Sequence, residues 1–556
     1  PRTLSVDNMR AMTPEAIVGA LTDGSMQQQG SELSAADRQA IAEFITGRSL
    51  DSVAGDRLGW CAAGRAAEWS GFDSGPAWNG WGVDIANTRN QPAQHAGLNA
   101  EDIPKLTLKW AFGYPNASSA QSQPTVVGGR LFVASQRGEV YALDAKTGCK
   151  HWMYEAQSGV RSAISIARID EGRSVVFFGD FNAHVYALDA ETGMELWSVE
   201  VDDHEGARIT GAPVLYDGRL YVPVSSSEEG LAADPEYACC TFRGSVVALE
   251  SATGKRVWKS YLIPDEPRPR GRNPEGLFLW GPAGAAVWSA PTIDPGRQLV
   301  YVATGNAYTE PAAETSDAIL ALDMETGDIR WSRQFTPSDA FVLGCRDGNA
   351  NCPTVNGPDF DFGASPVLVN AAEGRSFLVV GQKSGLGYGL DPDREGATIW
   401  QYRIGQGSAL GGVEWGFAVD TEKAYFGNSD YLTREPGGLA AVRLRTGELV
   451  WFAEAHEPVC EGCSPALLAA ITVIPGAVFS GASDGLFRAY SSRDGSVLWE
   501  YDTNGPHRTV NGVEASGGSI NGPGPVVVDG MVYVNSGYAA FGGRAGNALL
   551  AFSVDE

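Results

Sequence analysis

One phrase of alternating apolar and polar residues recurs seven times along the chain. It is seen in YALDAKTGCKHW, which ends at Trp152, and in YALDAETGMELW, which ends at Trp197. Alternation with a period of two is typical of a β-strand that buries one face. The phrase therefore predicts two strands joined by a tight turn. The other copies end at Trp258, Trp331, Trp400, Trp451 and Trp499.

A glycine lies four residues before the tryptophan in every copy, where a D-x-x-T-G turn needs a positive φ. Two more short strands precede each phrase, as in GAPVLYDGRLYVPVS at 211–225. Four antiparallel strands in each unit of roughly 50 residues are typical of a propeller blade, and such units must stack to bury their faces. The seven glycines are Gly148, Gly193, Gly254, Gly327, Gly396, Gly447 and Gly495.

The number of strands predicts how the ring closes. Seven complete units lie between about 121 and 503, and the remaining C-terminal residues supply three strands without a tryptophan. An early strand that ends at Trp110 would complete this last unit. We therefore predict an all-β fold, an eight-bladed β-propeller with W-type repeats over 106–556. Each tryptophan should lie between adjacent blades.

The N-terminal fifty residues follow a different pattern. Helices are predicted over 13–22 and 34–46, with N-caps at Thr13 and Ser34. With Met26 between them, they resemble the distal half of a class I cytochrome c, in which a methionine is an axial haem ligand. The C-x-x-C-H motif that attaches haem c is absent. Two alternatives stay open, a small helical appendage in which Met26 is packed and a cytochrome remnant. Residues 51–105 are predicted to be a linker and irregular loop.

Charge and cysteine content restrict the partners. The chain has 41 Lys+Arg and 67 Asp+Glu, a net charge of −26, which argues against nucleic-acid binding. No apolar run approaches the roughly 18 residues of a membrane span. The eight cysteines occur largely in close pairs, as expected in an oxidising compartment. We predict loop disulfides for the pairs Cys345/Cys352 and Cys460/Cys463, because neither has the further ligands of a zinc site.

Trp288 lies 18 residues before Asn306, in VWSAPTIDPGRQLVYVATGN. This spacing and the repeats resemble the family of pyrroloquinoline quinone (PQQ)-dependent alcohol dehydrogenases. The resemblance implies that PQQ stacks on Trp288 and that Asn306 ligates calcium. Both roles are physically sound, because a planar acid needs an aromatic face and calcium needs oxygen donors. With its N-terminal segment, the chain looks most like the family members that oxidise polyvinyl alcohol in the periplasm.

The resemblance also implies roles for other residues. Glu228 and Asp361 would complete the calcium site, and Asp361 would be the catalytic base. Lys383 would hydrogen-bond the quinone oxygens during catalysis. The other positions matched to PQQ contacts are Arg161, Thr210, Gln121 and Asn428.

Two departures from the family bear on the pocket. Relatives carry adjacent cysteines just before the residue matched to Arg161, whereas the adjacent pair here is Cys239–Cys240, in a long loop of the third blade. That pair could reach over the cofactor or be bonded elsewhere. Relatives also close the pocket with an aromatic residue where this chain has LLAAIT, residues 467–472. This predicts a more open mouth, which would suit a polymer.

The expected reaction is hydride transfer from a secondary alcohol to PQQ, with electrons passed on to a cytochrome c. Two alternatives stay open. One is a PQQ dehydrogenase for a small alcohol or polyol. The other is a cofactor-free propeller scaffold, as in the outer-membrane assembly lipoproteins that share this repeat.

Overall fold

The strands form eight antiparallel sheets, seven of four strands and one of five, and these sheets are the blades of a propeller. The computed structural model describes residues 75–554 except 170–171, 275, 346–348 and 371–375. Before residue 75 it describes 9, 14–22, 26, 30, 33–47, 58–62, 69 and 71. The predicted all-β, eight-bladed architecture is confirmed.

The first four blades each come from one continuous stretch of chain. In blade 3 the extra short strand Ala207–Arg208 pairs with the second strand. The strands are, in blade 1, Thr125–Val127, Arg130–Ala134, Glu139–Asp144 and Lys150–Glu155; in blade 2, Ser165–Arg168, Ser174–Gly179, His184–Asp189 and Glu195–Glu200; in blade 3, Val214–Tyr216, Arg219–Ser226, Ser245–Glu250 and Arg256–Tyr261; and in blade 4, Thr292–Asp294, Leu299–Ala303, Ala318–Asp323 and Ile329–Gln334.

Blades 5 to 7 repeat this arrangement, and blade 8 combines the two ends of the chain. Two hairpins lie outside the blades, Arg268–Arg272 with Phe278–Gly281 and Gly505–His507 with Ala515–Gly517. The strands are, in blade 5, Val367–Asn370, Ser376–Gly381, Leu386–Asp391 and Ala397–Arg403; in blade 6, Ala418–Val419, Lys423–Gly427, Leu439–Arg443 and Leu449–Ala453; in blade 7, Thr472–Ile474, Ala477–Gly481, Leu486–Ser491 and Val497–Asp502; and in blade 8, Val526–Val528, Met531–Ser536, Ala548–Val554 and Leu106–Gly113.

The strand Leu106–Gly113 closes the ring. It pairs antiparallel with Ala548–Val554, so that the first blade strand of the chain becomes the outer strand of the last blade. The prediction that the strand of Trp110 completes the eighth blade is confirmed.

The blade tryptophans lie against the turn of the next blade, as predicted. A Cβ on Gly193 would come within 2.7 Å of the Trp152 ring, so glycine makes the close contact possible. The Trp152 indole N–H also donates to the Ala190 carbonyl at 3.1 Å. Six other blade tryptophans donate to a backbone carbonyl in the same way. The remaining blade tryptophan, Trp331 of blade 4, has no acceptor for its indole N–H among the described residues.

Short helices occupy the N-terminal region and a few connections. Helix α1 is Pro14–Thr22 and helix α2 is Ala35–Thr46; Ile17 and Leu21 pack against Ala42 between them. Ser34 caps α2 through a capping box with Asp37, which confirms the predicted N-cap, whereas Thr13 lies outside the described residues. Further helices whose bounds the structure describes are α3, Ala93–Ala96, and α4, Glu228–Leu231, together with the 3₁₀ turns Ile103–Lys105, Pro392–Arg394 and Ala540–Gly542.

The segment 78–91 forms no regular strand but contacts the inner strands of the blades one after another. Its first bond is to blade 1, where Trp78 and Val126 exchange backbone hydrogen bonds of 2.8 and 2.9 Å. Its last is to blade 8, where Gln91 Nε2 donates to the Val527 carbonyl at 2.8 Å. Between these two contacts, the segment hydrogen-bonds to the first strands of five further blades, at Ile166, Ile293, Leu368, Val419 and Val473. The segment therefore runs around the propeller axis, and we call it the axial segment.

All eight cysteines form disulfides. The predicted loop disulfides Cys345–Cys352 and Cys460–Cys463 are confirmed. Cys239 bonds to its neighbour Cys240. Cys61 bonds to Cys149 and thereby ties the region before the propeller to the turn of blade 1, a pairing that the spacing did not predict.

Candidate active site

A pocket with about 340 Å³ of empty space, partly open to solvent, lies where the blades converge. The lining includes four residues that the sequence predicted as PQQ contacts, Gln121, Arg161, Thr210 and Trp288. These four residues come from different blades, so the fold has brought together positions up to 167 residues apart in the chain.

Trp288 is held in one orientation at this pocket. Its ring meets Trp415 edge to face, with centroids 4.8 Å apart and planes at 79°. Its backbone carbonyl accepts a hydrogen bond of 3.3 Å from the Thr210 hydroxyl. A Cβ on Gly363 would lie 1.9 Å from the Trp288 ring, so only glycine permits this close packing. The result is a fixed aromatic surface in the pocket lining.

Cationic and donor groups form one side of the pocket. The Arg161 guanidinium lies 4.3 Å from the centroid of Trp415 and donates to the Tyr538 hydroxyl at 3.4 Å. Burial, assisted by the charge of Arg161, lowers the pKa of nearby Arg208 to about 10. Gln121 Nε2 is buried without a hydrogen-bond partner among the described residues. This side therefore suits an anion that accepts hydrogen bonds.

Lys383 joins the pocket to a buried acidic cluster. Its Nζ is 5.6 Å from the centroid of Trp288. It donates to Asp361 Oδ2 at 2.8 Å and to Asp359 Oδ1 at 3.0 Å. The other Asp361 oxygen, Oδ1, accepts from the Asn306 backbone N–H at 2.7 Å. The structure thus places Asp361, Lys383 and Asn306 together next to Trp288.

Carboxyl groups outnumber cations in this cluster. Burial raises the pKa of Glu414 to about 8 and that of Glu229 to about 7, the latter with help from the charge of Asp361. Burial also raises the pKa of Asp317 well above its usual range, and both of its carboxyl oxygens lack a hydrogen-bond partner among the described residues. Asp339 and Asp359 show raised pKa values for the same first cause. A cation with a preference for oxygen ligands would relieve this excess of negative charge.

Asn306 can offer an oxygen to such a cation. Its side-chain nitrogen donates to the carbonyls of Ala307 at 2.7 Å and Phe341 at 2.8 Å, which leaves the amide oxygen as its free acceptor group. The described part of the chain contains no group of three His, Cys, Asp or Glu side chains arranged to hold a metal. A site here would therefore need Asn306 in addition to carboxylates.

Glu228 holds a loop, with both of its oxygens occupied. Oε1 accepts from the Tyr237 hydroxyl at 2.9 Å and the Thr241 N–H at 2.7 Å, and Oε2 accepts from the Phe242 N–H at 2.8 Å. The neighbouring Glu229, which the sequence did not single out, is the one whose pKa responds to Asp361 and Lys383. Within the helix α4, adjacent side chains point in different directions, and only the packing decides which of them faces the cluster.

Three other sequence candidates lie apart from the pocket lining. Asn428 donates to Asp430 at 3.2 Å and to the Gly437 carbonyl at 3.0 Å. Met26 follows α1 and is 39 % exposed. The Cys239–Cys240 pair is buried in the core cluster of Phe242 and is not part of the pocket lining.

Sequence reasoning missed two tryptophans that line the pocket, Trp81 and Trp415. Their positions in the sequence could have indicated this role, because both tryptophans lie outside the repeated phrase, as Trp288 does. Leu468 and Ala470, in the stretch 467–472 for which the sequence predicts an open mouth, pack with Trp415 and Tyr538. Aromatic cover beside the pocket thus comes from blades 6 and 8.

The fold and this pocket define an eight-bladed propeller with a pocket where its blades converge. Residues 78–403 match the family described as glucose/ethanol/alcohol dehydrogenase, β-propeller domain, and residues 382–517 match the one described as outer membrane protein assembly factor BamB. The chain belongs to the PQQ-dependent alcohol dehydrogenase family and is an enzyme of that class. The family resemblance inferred from the repeats and from Trp288 is confirmed.

Individual relatives agree with this assignment. A polyvinylalcohol dehydrogenase of Pseudomonas sp is 44 % identical over all of this chain and 91 % of its own length. Another, of Sphingopyxis sp. (strain 113P3), is 44 % identical over 86 % of this chain and 76 % of its own. The crystal structure of quinohemoprotein alcohol dehydrogenase from Comamonas testosteroni has the same fold, with a TM-score of 0.64 at 20 % identity, over 90 % of this chain and 82 % of that one. None of the described helices is long and apolar enough to cross a membrane.

Proposed function

We propose that this enzyme oxidises the secondary hydroxyl groups of polyvinyl alcohol to ketones in the periplasm, with PQQ as hydride acceptor and a cytochrome c as electron acceptor. The observation that carries the proposal is the 44 % identity to two polyvinylalcohol dehydrogenases. The convergence of predicted PQQ contacts on one pocket supports it.

The pocket residues are suited to PQQ, a planar polycarboxylate. Trp288 offers a rigid aromatic surface, and Arg161, Thr210 and Gln121 offer cationic or hydrogen-bonding groups to carboxylates. Lys383 Nζ, which lies 5.6 Å from the centroid of the Trp288 ring, would donate to quinone oxygens. Asn428, which lies apart from the pocket lining, stays a predicted PQQ contact. When bound, PQQ supplies the redox chemistry of the reaction.

The buried acidic cluster around Lys383 is suited to calcium. The oxygens of Asn306, Asp361 and Glu229 would hold the ion; we propose Glu229 instead of Glu228, because Glu228 already accepts three hydrogen bonds. The unpartnered oxygens of Asp317 support a cation in this region. When bound, calcium supplies Lewis acidity at the quinone carbonyl.

Asp361 is the proposed general base. Its carboxylate Oδ2 would accept the proton of the substrate hydroxyl as hydride leaves the carbinol carbon. The Lys383 ammonium at 2.8 Å stabilises the ionised carboxylate before this transfer. The Asn306 N–H, at 2.7 Å from Oδ1, orients the carboxylate.

Disulfides and the N-terminal helices support the proposed compartment and electron acceptor. Four disulfides are typical of an oxidising compartment such as the periplasm. The helix pair around Met26 resembles part of a cytochrome c, and the Met26 side chain is accessible. Haem c itself would need a partner or a segment that supplies C-x-x-C-H.

A substrate panel tests the proposal. The purified protein is supplied with PQQ and calcium and assayed by dye reduction on polyvinyl alcohol, on a small secondary alcohol and on primary alcohols. We expect turnover of the polymer. Turnover of small alcohols alone would support a small-alcohol dehydrogenase, and failure to bind PQQ would support a cofactor-free scaffold.

A matched pair of variants tests the base. Asp361→Asn should retain PQQ, as judged by its absorbance, but lose about 10²- to 10⁴-fold in kcat. Asp359→Asn removes the other carboxylate that contacts Lys383 and should retain at least about a tenth of the activity. If Asp359→Asn were the inactive variant and Asp361→Asn the active one, the assignment of the base would be wrong.

A further inference from the structure

A fully buried arginine lies in the axial segment without an acidic partner. Arg89 is 1 % exposed, and each of its hydrogen bonds goes to a neutral acceptor. Within the part of the chain that the structure describes, no carboxylate forms an ion pair with it. Burial lowers its pKa to about 9, so the group is still charged at neutral pH. Its acceptors are the carbonyls of Trp81, Ile471 and Pro525 and the side-chain oxygens of Gln123 and Thr472.

This charge lies next to the pocket. The Arg89 guanidinium carbon is 4.9 Å from the centroid of Trp81, and Trp81 lines the pocket. A Cβ on Gly524 would lie 2.3 Å from the guanidinium, and the two residues before Gly524 also line the pocket. Trp81 and residues 522–524 therefore lie between the charge of Arg89 and the pocket.

Small residues make room for this arrangement. Trp81 packs against Ala163, Ala212 and Ala290, which occupy corresponding positions in blades 2, 3 and 4. Larger side chains at these positions would fill the axis and keep the axial segment out. The three alanines thus leave space near the propeller axis, and Trp81 and Arg89 of the axial segment occupy it.

A buried charge that is compensated only by dipoles is costly. An anion in the pocket would offset that cost, since charges interact strongly across the low-dielectric interior. On the basis of the proposed function, we propose that Arg89 is a positioning residue that acts through Trp81 to favour a polyanionic aromatic ligand such as PQQ. The axial segment then provides positive charge next to the cofactor pocket, in addition to packing along the propeller axis.

The charge of Arg89 can be separated from its hydrogen bonds by two substitutions. Arg89→Lys keeps the charge and loses most of the hydrogen bonds, whereas Arg89→Gln loses the charge. The dissociation constant of PQQ is measured by quenching of tryptophan fluorescence, and circular dichroism confirms the fold of each variant. We expect Arg89→Gln to weaken PQQ binding at least about tenfold more than Arg89→Lys. Equal losses in the two variants, or no loss in either, would overturn the proposal.

A second pair leaves Arg89 in place, in case its replacement prevents folding. Gln123 Oε1 accepts from Arg89 at 2.7 Å, so Gln123→Glu supplies the missing carboxylate with little change in shape. Gln123→Met is the control, because it loses the same amide donors without adding a charge. We expect Gln123→Glu to weaken PQQ binding about tenfold relative to Gln123→Met. Equal affinities in this pair would contradict a role for the charge.

Failure of this inference differs from failure of the proposed function. If the unsubstituted protein does not bind PQQ, the proposed function is wrong. If it binds PQQ and oxidises polyvinyl alcohol, but the charged and neutral variants bind PQQ equally, only the role of Arg89 is wrong.

Discussion

At the residue scale, the acidic cluster around Lys383 shows how burial prepares a site for charge. Its carboxyl groups are close enough to raise one another's pKa values, and one ammonium cannot balance them. The two acidic residues of PDFDFG, Asp359 and Asp361, both contact that ammonium. A bound cation would therefore stabilise the cluster, whose carboxylates otherwise repel one another.

The raised pKa of Glu414 predicts that the stability of the folded protein depends on pH. Burial raises its pKa to about 8 against an ordinary value of 4.5, opposed by Lys383 and assisted by Asp361. Between these two pH values the folded protein holds a proton that the unfolded chain lacks, so stability falls as the pH rises. We expect the Tm of calcium-free protein to fall as the pH is raised from about 4.5 to about 8, and calcium to reverse part of that fall.

Glu414→Gln is the control for this pH dependence. Because glutamine resembles the protonated form, the variant should lose less stability than the parent over the same pH range. Thermal unfolding monitored by circular dichroism in the presence of a chelator measures both. A fall of equal size in the variant would mean that Glu414 does not hold a proton in the folded state.

At the scale of the elements, the contact between a tryptophan and the next turn joins the blades. Gly447 has φ +70°, and a Cβ there would lie 2.7 Å from the Trp400 ring. The same relation holds between each glycine of the repeated phrase and the tryptophan of the blade before it. The turn therefore needs glycine twice, for its backbone conformation and for the tryptophan that covers it.

Two glycine substitutions separate these needs. Gly447→Ala should cost the left-handed backbone penalty of about 1–2 kcal/mol and a further ~1–3 kcal/mol from the clash with Trp400. Gly129 has φ +75° with nothing within 4 Å of a Cβ, so Gly129→Ala should cost only the backbone penalty. Chemical denaturation of both variants gives the difference. Equal losses would show that Trp400 moves aside without cost.

At the scale of the whole molecule, the ring depends on its two ends. The strand Ala548–Val554 lies between Met531–Ser536 and Leu106–Gly113 and bonds to both. Removing it would leave two unpaired strand edges and an open ring, and such edges promote aggregation.

Two C-terminal truncations test the closure. A chain that lacks residues 547–556 should fail to accumulate as a soluble monomer, as judged by size-exclusion chromatography. A chain that lacks only residues 555–556 keeps every strand and should behave as the full chain does. A monomeric, PQQ-binding product from the longer truncation would show that the ring does not need the eighth blade to be complete.

Much of this architecture could be predicted because it repeats. Each phrase contains two strands, the glycine of its turn and the tryptophan that covers the turn of the next blade. The local pattern therefore predicted the blades, the contact between neighbouring blades and the ring that they form. Trp288 and Asn306 were matched through the family resemblance, which their spacing and sequence context carry. The roles predicted for Lys383 and Asp361 were implied by the same resemblance.

The sequence by itself therefore determined the blades, their number and the closure, since these depend on contacts between neighbouring repeats. Only the tertiary structure showed that both oxygens of Glu228 accept hydrogen bonds from residues 237–242, because those contacts depend on how the loop packs. It also decided the course of the axial segment, whose bonds reach partners as far as 436 residues away with no periodic pattern. Contacts of that kind depend on the completed ring, which exists only after every blade has found its place.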